Sequence, residues 1–318
     1  MCDLPDLAIR HFTVSEAEAG QKLLSYLKRR LGQNLPESLL HRIIRNGEVR
    51  INGKRSKPFA RLEENDEVRV PPLRTAKDET PLQPLLAPRS PEKAGPAALD
   101  IAAETAEYLL LNKPAGLPAQ PGSKQPDALS SRLAAAYPDA PFTPTLAHRL
   151  DKDTSGLILA AKTYRALRAA QSAFRDHTAL KDYLTWVEGV WAKTATLTLR
   201  DLLEKQGPAG REKVRTGAGK EALCEARPVL GRAGHTLLLV RLFTGRTHQI
   251  RVQLSSRGHP IAGDIKYGAR AAPPGTPGIY LHAWRLVLPD RQIFTAPPSW
   301  QGDFAVAARI LKAIPVNA

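Results

Sequence analysis

Apolar residues recur at helical spacing in two stretches near the start of the chain, and short alternating segments follow them. Proline is tolerated in the first turn of a helix, and a glycine after an asparagine is typical of a helix end. The pattern therefore predicts a small mixed module over residues 12–72. Its predicted elements are helices over 20–31 and from Pro36 to Asn46-Gly47, and strands around Val49–Ile51 and Val68–Val70 with a turn at Asn52-Gly53 between them.

The pattern changes after this module. Residues 71–100 contain seven prolines and no helical or strand period, which predicts a semi-rigid linker over 73–98. From residue 99 to 318, apolar runs of strand length outnumber helical ones and do not alternate strictly with them. That order favours an α+β domain with a mixed, largely antiparallel sheet over a doubly wound one.

Charge narrows the class of partner. The 318-residue chain has a formal net charge of +15 and a pI near 10.0, which is typical of a protein that binds polyanions. It has no apolar run long enough to span a membrane and no signal-like N-terminus. Its cysteines, Cys2 and Cys224, match no metal spacing, so a reduced, cytoplasmic compartment is expected. Nucleic acid is the favoured partner, with a basic enzyme whose charge serves only solubility as the alternative.

Basic residues are concentrated in the N-terminal module. Ten basic and two acidic residues lie between Gly20 and Lys57, and most of the basic ones fall outside the apolar stripes. One strongly positive face suits phosphate contacts, although an ordinary solvated helix face is the alternative. The predicted RNA-binding residues here are Arg29, Arg42, Arg45, Lys54 and Arg55.

Three polar clusters stand out in the larger domain: HRLDKDTSG over 148–156, LKDY over 180–183, and TGRTHQIRVQ over 244–253. The first contains Asp-Thr-Ser-Gly, but the Asp-Thr-Gly or Asp-Ser-Gly turn of aspartic proteases occurs nowhere in the chain. The glycines before Lys220 fail the phosphate-loop pattern at two positions. No histidine or cysteine spacing of a zinc site is found, so no metal is predicted.

The spacing alone leaves two questions open. If the third cluster is a strand, His248 faces away from Arg251; if it is a helix, the two share a face. In either case a buried Arg251 needs an acidic partner, and the first cluster offers Asp151 and Asp153. A purely structural ion-pair network and a reactive site both fit this pattern.

Taken together, the three clusters resemble the motifs of the ribosomal large-subunit pseudouridine synthase family, most closely its C-type subgroup. The N-terminal module resembles an S4 RNA-binding domain, on the segments LLHRIIRNGEVRINGKR and DEVRVPP. The resemblance covers nearly the whole chain except the first ten residues and the linker. It implies isomerisation of uridine to pseudouridine in 23S RNA by a cytoplasmic, monomeric enzyme that requires no cofactor or metal.

The resemblance also implies roles for individual residues. Asp151 matches the catalytic aspartate, acting as a nucleophile or as a base, and both roles need it ionised. Arg251 matches the arginine that pairs with that aspartate, and Tyr183 the tyrosine that stacks on the target base. Arg149 matches the arginine that fills the space left by the flipped nucleotide.

Further residues are assigned supporting parts by the same resemblance. Lys181 and His248 are expected to contact RNA phosphate or to orient their neighbours. Asp153 is expected to act only as a turn residue or hydrogen-bond acceptor. The chain departs from the family pattern at Val252-Gln253, where Val-His is usual, and over 119–122, where Val-His-Gly is usual. The competing functions are modification of transfer RNA and an inert RNA-binding assembly factor.

Overall fold

The computed structural model describes residues 9–32, 35–73, 98–122, 127–192, 194–207, 213–272, 276 and 278–316. The predicted proline-rich linker lies almost wholly outside the described residues. The chain divides into two compact units. The first comprises 1–97, 137–143 and 162–166, and the second comprises 98–136, 144–161 and 167–318.

The first unit packs two helices on a small sheet, and the apolar faces predicted from the sequence form its core. The helix α2 buries Leu39, Leu40, Ile43 and Ile44 at the i, i+3 and i+4 positions of one face. The four strands follow the order β1-β4-β2-β3. The described elements are β1 (Arg10–Thr13), α1 (Leu23–Leu31), α2 (Glu37–Arg45), β2 (Arg50–Ile51), β3 (Lys54–Arg55) and β4 (Glu67–Val70).

The turn at Asn52-Gly53 joins different strands from those predicted. Asn52 has φ +49° and Gly53 has φ +75°, the signs required by the two-residue turn that suits a tight hairpin. This hairpin pairs β2 with β3, whereas β4 pairs with the other edge of β2. The predicted strand over 68–70 is present, but it is not the partner across the turn.

The second unit is built on one sheet in which eleven described strands pair, and only β8 with β14 runs parallel. The predicted α+β class with a mixed, largely antiparallel sheet is confirmed. The path is β11-β10-β12-β13-β9-β14-β8-β6-β5, with β15 on β14 and β7 on β8. The strands are β5 (Ile101–Glu104), β6 (Tyr108–Lys113), β7 (Thr145–Leu146), β8 (Ser155–Ala161), β9 (Leu180–Glu188), β10 (Leu197–Gln206), β11 (Lys213–Thr216), β12 (Lys220–Arg232), β13 (His235–Leu242), β14 (Leu281–Val287) and β15 (Ile293–Thr295).

Four α-helices lie in the described residues of the rest of the chain. They are α3 (Leu129–Ala136), α4 (Tyr164–Arg175), α5 (Gln249–Ser255) and α6 (Ala308–Lys312). Within the described ranges, none of the helices has the length and apolar content needed to cross a membrane.

The central strand β9 separates two polar sets because successive side chains point to opposite faces of a sheet. Lys181 and Tyr183 lie on one face. Asp182 lies on the other, where its buried carboxylate binds Arg241 and Arg285. These two arginines also donate to the carbonyls of Val316 and Pro315. Asp182 therefore links the C-terminal segment to the sheet. The functional site described below lies on the opposite face of β9, with Lys181 and Tyr183.

Candidate functional site

A cavity of about 510 Å³ in the second unit is lined by all three motifs. The motifs are far apart in sequence, and the adjacent strands β8, β14 and β9 bring the first two together. The cavity contains every site residue predicted in the larger domain: Arg149, Asp151, Lys181, Tyr183, His248 and Arg251.

The first motif forms a tight turn that leads into β8. The backbone N–H of Thr154 donates to the carbonyl of Asp151 at 3.2 Å, and Leu150 is buried beneath the turn. Asp153 lies in this turn as expected. Its carboxylate accepts no hydrogen bond from any described residue, so the turn is held by its backbone.

Lys113, which sequence reasoning left without a role, fixes this turn from below. Its side chain is fully buried, and its ammonium group donates to the carbonyls of Pro114, Leu117 and Lys152 at 2.8, 2.8 and 2.9 Å. Burial lowers the pKa of Lys113 to about 8, and the charges of Asp153 and Asp151 oppose that change. Its signal in the sequence is a lysine at the end of an apolar strand, directly before a proline.

Replacing Lys113 by Met is expected to lower kcat at least about tenfold, because three carbonyls lose their donor and the turn that carries Asp151 shifts. The free energy of unfolding should fall by about 2–4 kcal/mol. Lys152→Met is the matched control, since Lys152 contributes only its carbonyl and its side chain is exposed. Steady-state kinetics and urea unfolding measure both. Equal kcat values for the two variants would contradict this role for Lys113.

The second motif places Tyr183 at the floor of the cavity. Burial, and secondarily the charge of Asp151, raises the pKa of the Tyr183 phenol above its usual range, so the hydroxyl stays protonated. Lys181 lies two residues away on the same face, with its ammonium group 5.5 Å from the ring centroid of Phe174. Burial lowers the pKa of Lys181.

The third motif is helical where it carries Arg251, which resolves the alternative left open by its spacing. The preceding turn is held by Gln249, whose side-chain oxygen accepts from the Thr244 hydroxyl at 2.8 Å and from the Arg246 N–H at 3.0 Å. The helix α5 begins directly after His248, which has a left-handed backbone with φ +53°.

Arg251 has a closer acidic partner than the one expected from the first motif. Asp264 accepts two hydrogen bonds from the Arg251 guanidinium, at 2.7 and 2.8 Å, and both side chains are buried. The Asp151 carboxylate lies 4.0 Å from Nη1 of Arg251. A bidentate pair fixes the plane of a guanidinium, so Asp264 aims Arg251 and leaves one nitrogen towards Asp151.

The environment of Asp151 opposes its ionisation overall. Burial is the largest influence and raises the pKa of the Asp151 carboxyl, while Arg251 and Arg149 act to lower it. Arg149 is exposed at the edge of the cavity. The two arginines therefore supply the positive charge that favours an ionised Asp151 against its burial.

Two histidines of the motifs are uncharged. The Nε2 atom of His148 accepts the backbone N–H of Leu159 at 3.0 Å, and burial lowers the pKa of His148 to about 3. Burial likewise lowers the pKa of His248 to about 4. A cationic contact between His248 and phosphate is therefore not supported.

The predicted RNA-binding residues of the N-terminal module belong to the first unit, and none of them is among the residues that line the cavity. Arg42, Arg45 and Lys54 are exposed. Arg55 is exposed and donates to the carbonyl of Asn46 at the end of α2. The guanidinium of Arg29 lies 4.2 Å from the ring centroid of Phe142 in the same unit.

The two departures from the family pattern lie outside the polar lining of the cavity. Gln253 is fully buried, and its amide nitrogen donates to Asp201 Oδ2 at 2.7 Å and to the carbonyl of Leu199 at 3.1 Å. It thus joins α5 to β10. The carbonyl of Ala119 accepts the N–H of Ser130 in the first turn of α3.

The described residues contain no group of three or more histidine, cysteine, aspartate or glutamate side chains able to hold a metal ion.

Comparison with known proteins gives one consistent family. Residues 107–256 match the family described as RNA pseudouridylate synthase. The ribosomal large subunit pseudouridine synthase C of Pasteurella multocida (strain Pm70) is 38% identical over 288 residues, covering 88% of this chain and 86% of that protein. The protein of the same name from Escherichia coli (strain K12) is 37% identical, covering 88% of each.

Solved structures show the same fold. Human RNA pseudouridylate synthase domain containing 1 superposes with a TM-score of 0.54 at 22% identity, over 70% of this chain and 98% of that one. Human RNA pseudouridylate synthase domain containing 4 gives a TM-score of 0.51 at 23% identity, over 63% and 88%.

Proposed function

Because the chain belongs to the RNA pseudouridylate synthase family, we propose that it isomerises uridines to pseudouridine in the 23S RNA of the large ribosomal subunit. The choice of 23S RNA as substrate rests on the length of the match to relatives that are named ribosomal large subunit pseudouridine synthase C. That match covers 88% of this chain, more than the 107–256 span of the family match.

The chemistry requires that the C1′–N1 glycosidic bond of the uridine breaks and that C5 of the uracil then bonds to C1′. C5 loses its hydrogen as a proton in this exchange, and N1 takes up a proton. The base must leave the RNA stack for this, and a flipped nucleotide enters a pocket at an energetic cost. Arg149, exposed at the edge of the cavity, fills the space that the nucleotide leaves. Tyr183 stacks on the base. Its protonated hydroxyl lies at the floor of the cavity.

Asp151 is the reactive carboxylate in this proposal. It attacks the ribose or the uracil, or removes a proton at C2′, and each of these steps needs the ionised form. Arg251, aimed by Asp264, stabilises that form across the 4.0 Å separation. Lys181 and the basic residues of the first unit (Arg29, Arg42, Arg45, Lys54 and Arg55) hold RNA phosphate. Folded RNA is read mainly by shape and backbone contacts.

In this proposal the enzyme acts as a monomer in the cytoplasm, where ribosomal RNA is assembled.

The substrate assignment is tested by tritium release from RNA transcripts that carry uridine labelled at C5. Release from 23S RNA, and not from 16S or transfer RNA, is the expected result. Release from transfer RNA alone would replace the proposed substrate, and no release from any of these RNAs would favour an inert assembly factor. Mapping of pseudouridines in a deletion strain then identifies the modified positions.

The acid limb of the pH profile reports on Asp151. Because burial raises its pKa above 3.8, kcat/KM should fall with decreasing pH at values above that of an ordinary aspartate. Arg149→Gln should move the limb to higher pH, since the Arg149 charge lowers this pKa. Arg132→Gln, which removes an exposed ion pair with Asp127, is the control and should leave the limb in place. A limb at or below pH 3.8 would contradict the assignment.

A further inference from the structure

Tyr267 lies outside the three motifs and contacts two residues of the third, His248 and Arg251. It ends the short 3-10 turn Ile265–Tyr267 that follows Asp264, and it is 5% exposed. Its hydroxyl oxygen lies 2.7 Å from Nδ1 of His248. The backbone N–H of Val214, on β11, donates to the same oxygen at 3.3 Å.

The aromatic ring of Tyr267 supports the arginine of the site. The guanidinium carbon of Arg251 lies 5.1 Å from the ring centroid, within the range of a cation–π contact. Asp264 binds the same guanidinium through both oxygens. The Arg251 guanidinium is thus held along one edge by the Asp264 carboxylate and on its face by the Tyr267 ring.

The hydrogen bonds of the Tyr267 hydroxyl favour one tautomer of His248. The hydroxyl oxygen already accepts the N–H of Val214, so its own hydrogen needs an acceptor. Among the described residues, the one acceptor within hydrogen-bond distance of that oxygen is Nδ1 of His248. An Nδ1 atom that accepts leaves the proton of a neutral imidazole on Nε2.

His248 is uncharged in this setting. Of the charges that act on it, Arg251 and Lys266 disfavour protonation and Asp264 and Asp153 favour it, while burial is the largest influence and lowers the pKa to about 4. The left-handed backbone of His248, with φ +53°, is a conformation that few non-glycine residues adopt. The bond to Tyr267 holds the imidazole of this residue at the cavity wall.

We propose that Tyr267 is a positioning residue, whose hydroxyl presents His248 to bound RNA as a neutral Nε2–H donor and whose ring holds Arg251 beside Asp151. The inference rests on the proposed function, since it takes RNA as the occupant of the cavity. The group that His248 recognises is an oxygen of the bound nucleotide. A neutral donor adds one directed hydrogen bond and releases no counterion.

The tautomer is tested on the intact protein without substrate. With histidine labelled with ¹⁵N, long-range proton–nitrogen spectra at pH 7 distinguish an imidazole protonated at Nε2 from one protonated at Nδ1 or at both. His248→Gln identifies the signal. We expect Nε2–H in the parent and loss of the single-tautomer pattern in Tyr267→Phe. An Nδ1–H or doubly protonated His248 in the parent, or an unchanged pattern in the variant, would overturn the proposal.

Kinetics separate the two parts that Tyr267 plays. Tyr267→Phe keeps the ring, so KM for RNA should rise about three- to tenfold while kcat stays within about twofold. Tyr267→Leu also removes the support of Arg251, and kcat should fall as well. Tyr280→Phe removes another buried tyrosine hydroxyl from the apolar cluster on the opposite face and should change neither constant. A fall in kcat with unchanged KM for Tyr267→Phe would refute the assignment of the hydroxyl to RNA binding and of the ring to the support of Arg251.

The salt dependence of RNA binding distinguishes a neutral donor from a cation. The slope of log Kd against log salt should be unchanged in His248→Gln, although affinity falls. Lys181→Gln should reduce the slope by about 0.7, the loss of one phosphate contact to a single strand. A similar reduction in His248→Gln would show a cationic contact and overturn the proposal. The spectra are recorded without RNA and are therefore independent of tritium release. The spectra can contradict the role of Tyr267 while tritium release supports the proposed function, and tritium release can fail while the spectra show the expected tautomer.

Discussion

Asp151→Asn is expected to reduce tritium release from uridine-labelled 23S RNA by more than about 10³-fold. The amide has nearly the shape of the carboxylate, but it can neither attack carbon nor accept a proton from it. Binding should persist, because Arg149, Lys181 and the basic residues of the first unit are untouched. Single-turnover rates and RNA affinity, measured on the same preparations, separate loss of chemistry from loss of binding.

Asp153→Asn is the matched control for this result. Asp153 is two residues away in the same turn, and no described residue donates a hydrogen bond to its carboxylate. Its replacement should retain turnover within about threefold, with a slight change in the charge around Lys113. Equal release from the parent and Asp151→Asn would refute the role of Asp151. Loss of turnover in a folded Asp153→Asn would reverse the ranking of the two acids.

Gly156→Ala is expected to lower the free energy of unfolding of the second unit by at least about 3 kcal/mol. Gly156 has φ +108°, and a Cβ added there would lie 2.3 Å from the carbonyl oxygen and 2.6 Å from the nitrogen of Ala283. These are backbone atoms of β14, which pairs with β8 at this residue. The methyl group would therefore separate the strands that hold the first and second motifs together.

Gly231→Ala is the control for this change. Gly231 lies in β12 without a positive φ, and a Cβ there would meet nothing within 4 Å. Its replacement should alter stability by less than about 1 kcal/mol. The tryptophans, at 186, 191, 284 and 300, all belong to the second unit, so their fluorescence during urea unfolding follows that unit. Equal midpoints for the two variants would contradict the close approach at Gly156.

The sequence determined the features that depend on local pattern. Apolar periodicity predicted the helices of the first unit and the α+β class of the second, because burial of one face requires a repeating spacing. The motifs also identified Asp151, Tyr183 and Arg251, and the structure brings these three residues into one cavity. The sequence predicted a turn at Gly156, at the end of the first motif. It did not predict that the backbone of β14 lies too close to this residue for a side chain.

The tertiary structure decided which groups meet around those residues. Asp264 pairs with Arg251, although it is 13 residues away and outside every motif, because a turn after α5 returns the chain to the helix. Lys113 reaches the carbonyl of Lys152, 39 residues away, and Tyr267 reaches His248. Periodicity shows which side chains are buried, whereas hydrogen bonds between distant segments depend on how the strands are ordered. For that reason the sequence located the residues proposed to react, and only the fold showed what orients them.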